Sequence, residues 1–156
     1  MNRARLAGCV YFLVFATGGL ALAGRGAASS AAGAIAGVLY IAVTLLFYGL
    51  FKPVSQRVSA IAAVVSLAGI AAGPLLKVNP LPIFGVYCLL IGWLILKSTF
   101  VPRILGGLMV FAGLGWLTFL SPSLAHALFP WNYAPGLIGE GSLTVWLLWK
   151  GRATFA

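Results

Sequence analysis

Glu140 is the single acidic residue in a chain of 156, set against ten lysines and arginines and one histidine, so any chemistry that needs a carboxylate rests on it alone. Its neighbourhood is small and apolar: Gly139 and Gly141 flank it, and an uninterrupted stretch follows from Leu143 to Trp149. An ionised side chain at the centre of a membrane helix costs about 2.5 to 3.5 kcal/mol on insertion scales, so it must be protonated, paired or close to an interface. Two readings follow. In the first, Glu140 is a proton or cation site with Arg25, Lys77 or His126 as partners. In the second, it lies near a helix start at Pro135 and Gly136, where free N–H groups and the positive dipole end stabilise an anion. In both it is expected to face the interior or an interface rather than acyl chains.

The other candidates are weaker. His126 has no second His, Asp or Cys close by, so a metal site is not indicated. It sits between Ser121, Pro122, Ser123 and the aromatics Phe129, Trp131 and Tyr133, a composition that suits an interfacial belt. The segment 121–134 is expected to anchor the chain at the surface, as a short helix over Leu124 to Phe129, with a lid as the alternative. Cys9 and Cys88 have neither metal spacing nor a CxxC and are expected to stay reduced, at different depths. No Ser, His and acid set, phosphate loop or haem-spaced His pair occurs, so no cofactor is expected and catalysis is the least supported class.

The elements that must position these residues are membrane helices. Hydrophobic residues make up 62% of the chain and charged residues 7%, with a mean hydropathy of +1.10. Water cannot be the main solvent for such a surface. Spanning about 30 Å of hydrocarbon takes roughly 20 apolar residues as a helix. Six stretches approach that length: Leu6 to Ala23, Ala31 to Phe51, Val58 to Leu76, Leu81 to Leu96, Ile104 to Leu120, and 134–149. Gly73 and Pro74 break the third near its end, and Pro82 fits the first turn of the fourth. The runs are continuous rather than alternating, which favours helices over a barrel. The fold expected is all-α: one domain over 1–156, an integral membrane bundle of six transmembrane helices.

Charge gives the orientation. With six alternating helices, Arg3, Arg5, Lys52, Arg57, Lys97, Arg103, Lys150 and Arg152 share one side, and only Arg25 and Lys77 lie on the other. This bias places the N and C termini in the cytoplasm. The net charge of +9 is dispersed in ones and twos, unlike a nucleic-acid footprint, so no nucleic-acid partner is expected. Arg3 and Arg5 before an apolar run ending in Ala21, Leu22, Ala23 resemble a signal peptide, but 18 apolar residues suit a retained helix better.

Polar residues inside the spans are Thr17, Tyr40, Thr44, Ser66, Tyr87, Thr118, Ser142 and Thr144, and most are expected to satisfy backbone carbonyls. Gly33 with Gly37 and Gly69 with Gly73 form GxxxG spacings, which predict tight packing within the chain or between copies. The lipid bilayer is the expected neighbour, and a homo-oligomer or a membrane protein partner would meet these small-residue faces.

Phe100 to Gly107 (FVPRILGG) leading into Ala112 to Trp116 (AGLGW), with Gly139, Glu140 and Leu143 to Gly151 (LTVWLLWKG), form a pattern. Together with Arg3 to Phe12 (RARLAGCVYF) and Leu50 to Arg57 (LFKPVSQR), it resembles the bacterial membrane family catalogued as domain of unknown function 4386. The resemblance implies a helical architecture and a bacterial inner membrane, and brings no catalytic residues with it. The connection Gly24 to Ser30 is much shorter than the family's.

Three functions are compatible with these residues. The first is a non-catalytic bundle acting through lipid or protein partners. The second is a small transporter or proton-linked carrier using Glu140, supported by the broken third helix. The third is a membrane enzyme acting on lipid or quinone. A cavity reaching Glu140 would favour transport, and a filled core with an exposed apolar groove would favour partner binding.

Overall fold

The computed structural model describes residues 3–151. Arg152, counted above with the cytoplasmic charges, lies outside them. Among the described residues the secondary structure is helical throughout: α1 (Arg3–Ala23), α2 (Gly26–Phe51), α3 (Gln56–Ala71), α4 (Leu81–Lys97), α5 (Arg103–Leu117), α6 (Pro122–Leu128) and α7 (Ala134–Lys150). The spans Arg3–Ala21, Gly26–Phe51, Gln56–Leu76 and Arg103–Leu120 are long and apolar enough to cross a membrane, and Leu81–Lys97 is a shorter apolar helix.

The differences from the sequence reading have local causes. The second helix starts at Gly26 instead of Ala31, because the Ala-rich run after Gly26 costs little as helix. The turn before it is only Gly24 and Arg25, and Gly26 takes φ +70, a conformation open to glycine without a Cβ clash. Ser29 Oγ closes this turn by donating to Ala21 O at 2.6 Å. In the third span, α geometry ends at Ala71 and a π turn, Ala72–Leu76, carries the chain past Pro74, whose missing N–H cannot serve an α ladder. The expected surface helix over 124–129 is the seven-residue α6, one position earlier at its end, capped by Ser121 Oγ, which accepts from Leu124 N at 3.4 Å.

The six longer helices pack as a closed ring. Each rests on its chain neighbour, with α5 passing to α7, and α7 closes on α1. Neighbours run antiparallel. A Cβ placed on Gly92 would lie 2.9 Å from Gly106 O, and one on Gly85 would lie 2.9 Å from Gly113 O, so positions in α4 and α5 face each other in opposite order. Between α1 and α7, Gly8 faces Leu147, and Gly151 faces Ala4. The start of α1, the α2–α3 and α4–α5 connections and the end of α7 therefore share one end of the bundle, here termed the basic end. It holds Arg3, Arg5, Lys52, Arg57, Lys97, Arg103 and Lys150, while Arg25 and Lys77 stand at the other.

The core is a contiguous cluster in which Tyr11, Phe47, Tyr87, Ile91, Leu94, Met109, Leu143 and Leu147 are almost fully covered. Large aliphatic side chains also point outward from every long helix, among them Leu20, Val38, Val64, Val86, Ile104 and Val145. A ring of helices apolar on both faces is stable only where lipid replaces water outside.

Candidate functional site

The buried face of α7 carries Gly136, Gly139, Glu140, Leu143, Thr144 and Leu147, a spacing of three and four that keeps one stripe inward. Glu140 belongs to that stripe and is 6% exposed. It is not at the helix start: no acidic residue lies in the first turn of α7. The dipole account of its stability is thereby replaced by a side-chain one.

Three side chains from three other helices donate to the carboxyl. Tyr11 Oη of α1 donates to Oε2 at 2.5 Å, and Trp116 Nε1 of α5 donates to Oε1 at 2.6 Å. Cys88 Sγ of α4 reaches Oε1 at 3.7 Å, a weak donor at sulfur distance. Counted at 1.5 Å per residue from the basic end, Tyr11, Tyr40, Cys88, Trp116 and Glu140 lie about 12 to 20 Å deep, near the middle of the bundle. The indole is aimed by a missing side chain: a Cβ on Gly136 would come within 2.1 Å of Trp116 Cζ2, so only glycine leaves room for the ring one turn before Glu140. Tyr11 is held from the α2 side, edge-on to Phe47 at 5.6 Å and to Tyr40 at 5.9 Å between centroids. Tyr40 in turn meets Tyr87 at 6.1 Å and Phe84 at 4.9 Å. The buried Tyr87 hydroxyl has no hydrogen-bond partner among the described residues.

The residues grouped with Glu140 on sequence grounds are elsewhere. Arg25 precedes α2, Lys77 ends the π turn with φ 54, and His126 lies on α6, all three exposed at the end opposite the basic one. Among the described residues, the side-chain partners of Glu140 are the phenol, the indole and the thiol, so Arg25, Lys77 and His126 are not brought to it. In the sequence Tyr11 and Trp116 lie inside longer motifs and Cys88 reads only as a lone thiol. A count of helical rise from each connection would have placed all three level with Glu140.

Several polar residues act as expected on carbonyls: Thr17 on Leu13 O, Thr118 on Gly115 O and Thr144 on Glu140 O. Thr44 also meets Ser66 across α2 and α3 at 2.6 Å. Cys9 and Cys88 are both free thiols.

A cavity of about 220 Å³ opens between α2, α3 and α4, lined by Gly33, Gly37, Gly69, Gly73, Pro74 and Phe84 among others. Tyr40 is among its lining residues and lies edge-on to Tyr11, while Glu140 does not line it. The GxxxG glycines thus line a space: a Cβ on Gly33 or Gly37 would meet nothing closer than 3.8 Å, and one on Gly73 nothing within 4 Å.

Residues 78–151 match the family model of the domain of unknown function DUF4386. The match covers α4 to α7 and so includes Cys88, Trp116 and Glu140 and the FVPRILGG, AGLGW and LTVWLLWKG motifs, while the motifs at 3–12 and 50–57 lie outside it. A relative from Archaeoglobus fulgidus, described as an uncharacterised protein, is 28% identical to the chain, covering 74% of it and 78% of the relative. No solved structure matches.

Proposed function

We propose that the chain is a six-pass protein of the bacterial inner membrane with both termini in the cytoplasm, and that Glu140 is a proton-binding site coupled to movement of a small solute. The observation that carries this reading is the carboxyl buried among neutral donors with no basic partner among the described residues. A buried ionisable group is costly, and apolar residues of similar volume can replace such groups without loss of stability, so packing alone is a poor reason to hold an acid there. The cluster accommodates both protonation states. As a carboxylate, Glu140 accepts from Tyr11, Trp116 and Cys88. As an acid, its O–H can donate to the Tyr11 hydroxyl, which turns from donor to acceptor, while the indole still donates to the other oxygen. A proton can therefore come and go without dismantling the site.

The six passes are supported by the closed antiparallel ring, and the orientation by the segregation of basic residues to one end. A fluorescent reporter at the C terminus is expected to be active in the cytoplasm, and an active periplasmic reporter there would remove this topology. For the proton site, purified protein in liposomes with an imposed pH gradient is expected to carry a proton flux. Glu140→Gln should abolish it while the protein still inserts and remains monodisperse. Flux in the wild type no greater than in empty liposomes would reject the reading.

The cavity between α2, α3 and α4 is not lined by Glu140 and an apolar groove is exposed, the combination expected of a partner-binding bundle, so the non-catalytic reading stands beside the transport one. An apolar groove of about 500 Å³ lies on α5 and α7 at the basic end, lined by Leu105, Val145, Trp146 and Trp149. Site-specific crosslinking from Trp149 in membranes separates the two: a single protein product would support a partner role, and lipid adducts alone would leave the groove as annulus.

A further inference from the structure

We infer that the solute is a small lipophilic organic cation that enters the cavity between α2, α3 and α4 and exchanges with the proton on Glu140; this rests on the proton-site reading above. The cavity has the shape and chemistry for it. At about 220 Å³ it exceeds the roughly 150 Å³ that admits a benzene-sized guest, and its walls are glycine, proline and aromatic or aliphatic carbon. Tyr40, half-buried, is one of its lining residues.

Beyond Tyr40 the rings are arranged around the acid. Tyr40 lies edge-on to Tyr11 and to Tyr87, Tyr11 donates to Glu140, and Trp116 donates to its other oxygen. Facing Glu140 and Tyr11, the titratable groups are Tyr11 of α1, Tyr40 of α2, and Tyr87 and Cys88 of α4. None of them carries positive charge, so among the described residues an ionised Glu140 has no counter-charge, which the cation would supply. A metal cation of the calcium or magnesium type takes about six or more oxygen ligands and would lose its water against apolar walls. An alkylated ammonium needs neither, because its charge is spread over methyl groups and interacts with ring faces. The Tyr40 ring lines the cavity and lies edge-on to Tyr11, so its rotation is the step that joins cavity and carboxyl. As the cation approaches, the carboxyl proton leaves to solvent and the net charge of the site is unchanged.

The test uses the full chain in detergent micelles, with phenyltrimethylammonium as probe and tert-butylbenzene as its neutral isostere. Saturable cation binding is expected, releasing about one proton per cation into weakly buffered solution and weakening about tenfold per pH unit where the proton competes. Glu140→Gln should lose at least about tenfold in cation affinity while still taking up the isostere. Gly37→Leu, which fills the cavity, should weaken both. Equal affinity of wild type and Glu140→Gln for both probes would overturn the inference and leave an apolar hole only. If the variants do not fold, cation binding by the wild type without proton release overturns it equally. Absence of cation binding, with an infrared carboxyl band that still titrates in the wild type, would reject the cation and spare the proton site. Absence of that band's titration would reject the proton site itself.

Discussion

The α4–α5 seam and the half of the α2–α3 pair away from the basic end are both rich in glycine, and they use it in opposite ways. In the seam, Gly85 faces Gly113 and Gly92 faces Gly106, with carbonyl oxygens 2.8 to 2.9 Å from where a Cβ would stand. The backbones touch there, and nothing larger than hydrogen fits. Across α2 and α3, a Cβ on Gly33 or Gly37 would find ordinary contact at 3.8 to 3.9 Å, Gly73 faces open space, and only Gly69 is tight, against Ile83 at 3.3 Å. The lesson concerns spacing. The GxxxG pairs that stand out in the sequence border a cavity, while the seam uses glycines seven apart in each helix, a spacing that returns to the same face after two turns. A small residue permits close approach without compelling it; the rest of the facing surface decides.

The sharpest way to break this contrast is to add one methyl group on each side of it. Gly139→Ala, on the comparable α5–α7 seam, would put a Cβ 2.3 Å from Leu108 O, a backbone atom that cannot move alone. A loss of about 3 kcal/mol is expected, at the upper end of overpacking costs, read from unfolding in mixed detergent; an unchanged midpoint would show that the seam is looser than described. Trp116→Phe keeps the ring in the pocket beside Gly136 and removes one donor to Glu140. About 2 kcal/mol should be lost in the same assay, and much less in a Glu140→Gln background, because the bond to a carboxylate is the stronger kind.

Gly37→Ala is expected to behave in the other direction. With its nearest neighbour, Ile70 Cγ2, at 3.9 Å, the added methyl finds ordinary contact, and helix propensity should raise stability by about 0.5 to 1 kcal/mol. A loss as large as that of Gly139→Ala would erase the distinction between the two regions. The smallest effect is expected from Ser66→Ala, which removes the hydrogen bond to Thr44. Side-chain bonds between membrane helices average about 0.6 kcal/mol, and Thr44 keeps its bond to Tyr40 O. Double-mutant cycles with Thr44→Val would detect any larger coupling.

Much of this fold was legible from the order of residues. Apolar runs of the right length marked the six long helices, and Pro82 at the start of α4 and Pro74 at the break in α3 act where their chemistry requires. The singularity of Glu140 marked it as the residue to explain. Its partners were not legible by the same means. Arg25, Lys77 and His126 were paired with it by charge and by side of the membrane, but they sit exposed at the helix ends. Tyr11 and Trp116 reach it instead, from positions 129 and 24 residues away. Nothing in the identity of a tyrosine or tryptophan distinguishes a carboxyl partner from an interfacial anchor.

The sequence by itself determined what depends on one helix at a time: the long apolar runs, the helix breaks, and the crowding of basic residues at alternate connections. Each of these is a sum over neighbours along the chain. Only the tertiary structure decided which faces turn inward, because that depends on how six helices share one interior. The rotation of α7 turns Glu140 inward, the absent Cβ of Gly136 admits the indole, and the closure of α7 on α1 brings Tyr11 to the carboxyl. A lone acid became a hydrogen-bonded site through contacts that no run of consecutive residues contains.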